Sequence, residues 1–116
     1  MPRQTKSEFL LLLRHSGQMP APDELEALMQ KFQRWVDSMK AKGQFVCTNG
    51  LEFTGKVIRT GGVVSDGPFA EAKEVVGGYI VIAARSLAQA VQIAKRCPGL
   101  KQPGTMIEVR PIAHGG

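Results

Sequence analysis

Residues 79–84 read YIVIAA, an unbroken apolar run that includes the β-branched Ile80, Val81 and Ile82. A strand with one wet face alternates apolar and polar residues, and this one does not, so both of its faces are buried. Such a strand belongs in the interior of a sheet that is covered on both sides. Immediately before it stand Gly77 and Gly78, which leave room for another backbone to come close. Whatever else the chain builds must flank this strand and cover it twice.

The rest of the chain offers the flanking pieces. EFLLLLR (8–14) is a first short apolar run ended by a Pro/Gly-containing loop, and it reads as a buried strand. PDELEALMQKFQRWVDSMKAKG (22–43) is an amphipathic helix with Pro22 in its first turn, Asp23 and Glu24 at its positive end and Gly43 after its last turn. Its apolar positions Leu25, Leu28, Met29, Phe32, Trp35, Val36 and Met39 recur at helical spacing and predict core. QFVCTNGLEF (44–53) predicts a second strand, bulged at Asn49-Gly50. KVIRT and VVSD around Gly61-Gly62 predict a small hairpin. Ser86 and Gln89 form a capping box for a second helix with Leu87, Ala90, Val91 and Ala94 inward, and TMIEVRPI (105–112) supplies the last strand.

The order strand, helix, strand, hairpin, strand, helix, strand predicts an α+β domain of ferredoxin-like split βαβ type with a hairpin insertion. The chain is one domain, 1–116, with its core at about 8–112. Two helices can cover one face of the sheet. Nothing in the chain is left to cover the other, so a homodimer packed sheet to sheet is expected.

Composition narrows the function classes. The net charge is +5, but the 15 Lys and Arg residues are scattered and aromatics are few, which argues against nucleic acid as a partner. FLLLL is too short to cross a membrane or serve as a leader, so a cytoplasmic protein without a membrane partner is expected. Cys47 and Cys97 lie outside any Cys/His cluster, and Gly17, Gly61 and Gly62 form no phosphate-binding fingerprint. Neither a metal nor a cofactor is expected.

SDGPFAEAKEVVGGYIVI (65–82), with LLLLR upstream, the helix from Pro22 and the closing IEVRPI, resembles the YCII-related family, and more narrowly its branch named for the DGPF motif. The resemblance spans about residues 8–112. It implies a ferredoxin-like fold, a dimeric α/β barrel and no settled activity. DGPF members are often encoded beside extracytoplasmic-function sigma factors, which hints at regulation. Some YCII relatives are thought to use an Asp at the end of the first strand and a His on the first helix. Aligning on Gly50 places Gln33 at the position of that His, with His15 and Ser16 near that of the Asp. An amide cannot act as a base near neutral pH, so the dyad does not carry over. The pocket it occupied would hold Arg14, His15 and Gln33.

Several side chains can carry chemistry. His15 follows a buried strand and is the candidate general base; Arg14 is a candidate for holding an anion. Gln33, Asp66 and Lys73 complete the candidate ligand-binding set. Ser16 lacks the context of a nucleophile, and Asp66-Gly67-Pro68-Phe69 is expected to be a structural turn. The preferred function is binding of a small anionic or aromatic molecule by a homodimer, with a regulatory role. The alternative is a cofactor-independent lyase or isomerase with His15 as base and Arg14 stabilising negative charge. His15 and Asp66 are not expected to hydrogen-bond, on the premise that the first strand and the strand at 77–84 run parallel.

Overall fold

The computed structural model describes residues 6–16, 20–67 and 75–113. In chain order the elements are β1 (Ser7–His15), α1 (Pro22–Ala41), β2 (Phe45–Gly50), β3 (Gly55–Ile58), β4 (Val64–Gly67), β5 (Val75–Ala84), α2 (Leu87–Ala94) and β6 (Met106–Pro111). A single 3-10 turn, Pro98–Lys101, links α2 to β6. Among the described residues, β2, β5, β1 and β6 form a four-stranded sheet in that order, and β3 and β4 form a separate two-stranded one. The run YIVIAA lies in β5, an interior strand between β1 and β2. The arrangement is consistent with a ferredoxin-like α+β domain carrying an inserted hairpin.

All three pairings in the large sheet are antiparallel. The parallel relation expected between β1 and β5 is therefore wrong. β1, α1 and β2 form a crossover, so β2 returns in the direction of β1 and one strand position stays open between them. β5 fills it after the β3–β4 hairpin has turned the chain round, and so runs against both neighbours.

Register sorts the side chains. Phe9, Leu11 and Leu13 of β1 stand opposite Ile82, Ile80 and Gly78 of β5, and Leu11 and Leu13 oppose Val109 and Ile107 of β6. Opposed residues share a face, so this set forms the helix-covered side. There Phe9, Leu11, Ile80, Ile82 and Ala84 pack with Trp35, Val36 and Met39 of α1 and Ala90, Ile93 and Ala94 of α2. Leu11, Ile80 and Ile82 are completely buried, each worth about 1.5–3 kcal/mol of transfer free energy. The opposite face carries Leu10, Leu12, Tyr79, Val81, Ala83 and Cys47, all half-buried in the single chain.

Local chemistry fixes the ends. Pro22 opens α1, and Gly43, at φ 69°, follows its last turn, where the Lys6 ammonium donates to the carbonyls of Lys42 and Gly43. Ser86 caps α2 by accepting from the Gln89 amide at 3.1 Å. The reciprocal arm of the capping box is displaced by one residue, since the Gln89 carbonyl takes the backbone N–H of Arg85 at 2.7 Å. The irregularity in β2 falls at Val46, between Phe45 and Cys47, and not at Asn49-Gly50. Of the helix face predicted as core, only the C-terminal half is buried; Met29 is 56% exposed, and Leu25 and Leu28 are half-buried. No described helix is long and apolar enough to cross a membrane.

Truncation at the centre of this core is costly. Leu11→Ala should lower the unfolding free energy by about 2–5 kcal/mol in urea denaturation. A loss below about 1 kcal/mol would mean that the β1–β5 pair is not the centre of the core.

Candidate functional site

The site begins with a break in pairing. Leu13 opposes Gly78, whereas Arg14 opposes Val76 and His15 opposes Val75, so Gly77 is passed over. A bulge of this kind re-aims side chains at the end of a strand. A Cβ on Gly77 would stand 2.6 Å from Cδ2 of His15, far inside van der Waals contact. The imidazole therefore lies against the Gly77 backbone, and only glycine permits it. Gly78 serves a different purpose. A Cβ on it would meet the Asn49 carbonyl oxygen at 3.1 Å, so this glycine admits the β2 backbone. Close approach was expected of this pair of glycines. One admits a strand, and the other admits a histidine.

Alternation along β1 sends Arg14 and His15 to opposite faces. His15 follows Leu11 and Leu13 toward the helices and meets the Phe53 ring edge-on, with centroids 5.4 Å apart. Beside it opens a cavity of about 190 Å³, walled by Leu13, Pro20, Leu25 and Leu28, with Gln102 and Thr105 among its polar groups. The first half of α1 thus covers a cavity instead of closing onto the sheet, which is why Leu25 and Leu28 are only half-buried.

The other sequence-derived candidates are not gathered here. Arg14 borders the cavity, but its guanidinium is engaged with Glu108, which accepts from Nε at 3.2 Å and from Nη2 at 2.9 Å. Glu108 opposes Leu12, so this ion pair belongs to the open sheet face. Gln33 is exposed on α1 and donates to Asp37 one turn later, at 2.9 Å; it is not a wall of the cavity, which corrects the expected trio of Arg14, His15 and Gln33. Asp66 is a residue of β4 and pairs with Lys56 across the hairpin; the turn expected at Asp66-Gly67-Pro68-Phe69 falls partly outside the described residues. Gly67 beside it is closely packed, because a Cβ there would meet Cγ2 of Val57 at 2.5 Å and one of the two would have to shift. Pro68, Phe69 and Lys73 lie outside the described residues.

Lys56 also bears on the expectation that His15 and Asp66 do not hydrogen-bond, because it is the group that holds the Asp66 carboxylate. The premise behind that expectation fails nonetheless, since antiparallel pairing brings the start of β5 to the end of β1. Gln102 and Thr105 were not foreseen. They reach the site because β6 pairs with β1 as far as Met106 opposite Arg14, so the preceding loop must pass His15. Only the register reveals this. Cys97, in the adjoining turn, is buried, and burial pushes its thiol up despite backbone N–H donors from Gly99 and Leu100; it is not an activated nucleophile. Among the described residues no three His, Cys, Asp or Glu side chains gather as a metal-binding group.

A model of the YCII-related domain matches residues 8–114. The chain belongs to the YCII-related family. No curated protein matches it. In this YCII-related chain the helix position equated with the histidine of some relatives is Gln33, whose amide serves its own helix. The ionisable ring at the cavity is that of His15, on the strand.

The contact between Gly77 and His15 can be measured. Gly77→Ala should destabilise the protein by about 1–3 kcal/mol through overpacking, and most of that loss should vanish in a His15→Ala background. Equilibrium denaturation of the two single variants and the double variant gives the coupling. Additive effects would show that the imidazole does not rest on Gly77.

Proposed function

We propose that the protein is a homodimer that binds a small aromatic molecule in the His15 cavity. The observation that carries this reading is the make-up of the cavity, four apolar side chains with a few polar groups among them. That balance is typical of small-molecule sites. Its volume of about 190 Å³ exceeds the roughly 150 Å³ that suffices to hold a benzene ring. Of the two ligand classes that the sequence suggests, aromatic is favoured over anionic, because the Arg14 guanidinium is committed to Glu108. The His15 ring lines the cavity, and Gln102 and Thr105 supply polar contacts.

The test is a panel of phenol, catechol and benzoate, followed by thermal shift and calorimetry. A ligand present at 100 times its Kd contributes about 2.7 kcal/mol of stability, so binding raises the melting temperature measurably. Leu28→Trp, which fills the cavity, should abolish the shift, and His15→Ala should weaken it. Uniform indifference of the panel would defeat the assignment. Product formation in the same mixtures, lost in His15→Gln, would replace binding by catalysis with His15 as base.

Dimerisation is the second part of the proposal. The open sheet face presents Leu10, Leu12, Tyr79 and Val81 side by side, and burying such a surface against a copy of itself is worth about 25 cal/mol per Å² before association costs. Sheet-to-sheet packing would complete the dimeric α/β barrel. Light scattering should give twice the chain mass of 12.6 kDa, and Leu12→Glu should return it to one. A wild-type monomer at micromolar concentration contradicts the proposal. The resemblance of the sequence DGPF at 66–69 to its namesake branch supports a regulatory setting. The free thiols of Cys47 and Cys97 suit the reducing cytoplasm.

A further inference from the structure

A second cavity, of about 190 Å³, lies between α1 and α2 and shares no wall with the His15 cavity. Its floor is apolar, formed by Trp35, Met39 and Ile93. Its rim is formed by Ser38, Lys42, Gln44, Gln89, Gln92 and Arg96, and contains no carboxylate. Two cations and a set of neutral polar side chains therefore line one cleft with no acidic partner among the walls. The Lys6 ammonium, held on the carbonyls of Lys42 and Gly43, adds a third positive charge at the same end of α1. The Gln89 carbonyl is spent on Arg85 N–H, which leaves its amide NH₂ to donate.

This chemistry is selective in sign. A guanidinium and an ammonium prefer phosphate or carboxylate oxygens, and charge-assisted bonds to them are about twice as strong as neutral ones. The number of donors favours the ligand with more acceptor oxygens. A carboxylate offers two, whereas a phosphate group offers three or more around a tetrahedral centre. The volume corresponds to about six waters at roughly 30 Å³ each, which suits a compact phosphate compound.

We propose that the α1–α2 cleft is a second binding site, for a small phosphate-bearing anion held by Lys42 and Arg96. It is distinct in position and in chemistry from the aromatic site at His15, and it stands whether or not that assignment holds.

Trp35 is the single tryptophan of the chain, so its fluorescence reports on this cleft. The full-length protein is titrated with inorganic pyrophosphate at constant ionic strength, with calorimetry on the same samples to register binding that leaves the indole silent. Saturable binding is expected. It should weaken at least about tenfold in the double variant Lys42→Gln/Arg96→Gln, since each lost charge-assisted bond is worth roughly a factor of ten or more. Circular dichroism should show that the variant is folded. Citrate, with as much charge but carried on planar carboxylates in place of tetrahedral phosphates, should bind more weakly than pyrophosphate. No saturable response by either method, or equal affinity in the folded double variant, overturns the site. Citrate binding as tightly as pyrophosphate overturns the phosphate assignment. Retained pyrophosphate binding in Leu28→Trp separates this site from the His15 cavity.

Discussion

The antiparallel pairing of β1 with β5 is the constraint on which the remainder of the molecule rests. It places Phe9, Leu11 and Leu13 against Ile82, Ile80 and Gly78 on the side that both helices cover. It also decides what happens where the pairing ends. Because the strands run in opposite directions, the last residue of β1 meets the first residue of β5, and the bulge at Gly77 falls at that junction. The His15 cavity is thus a property of strand direction as much as of the residues around it. A parallel arrangement of the same two strands would separate His15 from Gly77 by the length of the sheet.

The elements with a strong local signal were legible in the sequence. α1 announces itself through Pro22, its spaced apolar residues and Gly43; α2 does so through Ser86 and Gln89; the hairpin follows from Gly61-Gly62, both of which adopt positive φ. What failed was information carried between distant segments. The direction of β5 relative to β1 is not encoded in either strand; it follows from the crossover and the hairpin taken together. The bulge at Val46 was misplaced because Asn49-Gly50 has the more turn-like composition, whereas the real irregularity is set by how β2 aligns with β5. Met29 fits the helical apolar pattern but is exposed, since periodicity identifies a face and not how far along the helix that face is covered.

The site divides along the same line. His15 was legible as a polar ring at the end of an apolar strand. Its separation from Arg14 follows from simple alternation, and Glu108 then claims the guanidinium from the neighbouring strand. Gln33 was drawn into the site by alignment with relatives, but one helical turn away Asp37 offers its amide a local partner. Gln102 and Thr105 lie in a loop whose composition marks only a turn. The Gly-Gly ahead of the central strand proved to be two separate requirements, and no sequence pattern distinguishes a glycine that admits a backbone from one that admits a ring.

The position of β1 also governs when the fold can be completed during synthesis. Its two partners, β5 and β6, both lie far downstream of it in the chain. On the ribosome, the LLLL segment of β1 therefore emerges long before either neighbour exists. Local structure such as α1 can form early, but the sheet must await non-local pairings, which form slowly because the intervening chain must first be closed into a loop. Until then β1 is an unpaired apolar strand, the kind of segment that nascent chains present to chaperones. A molecule in which an interior strand precedes both of its partners by most of the domain carries its greatest aggregation hazard at birth, not in its mature form.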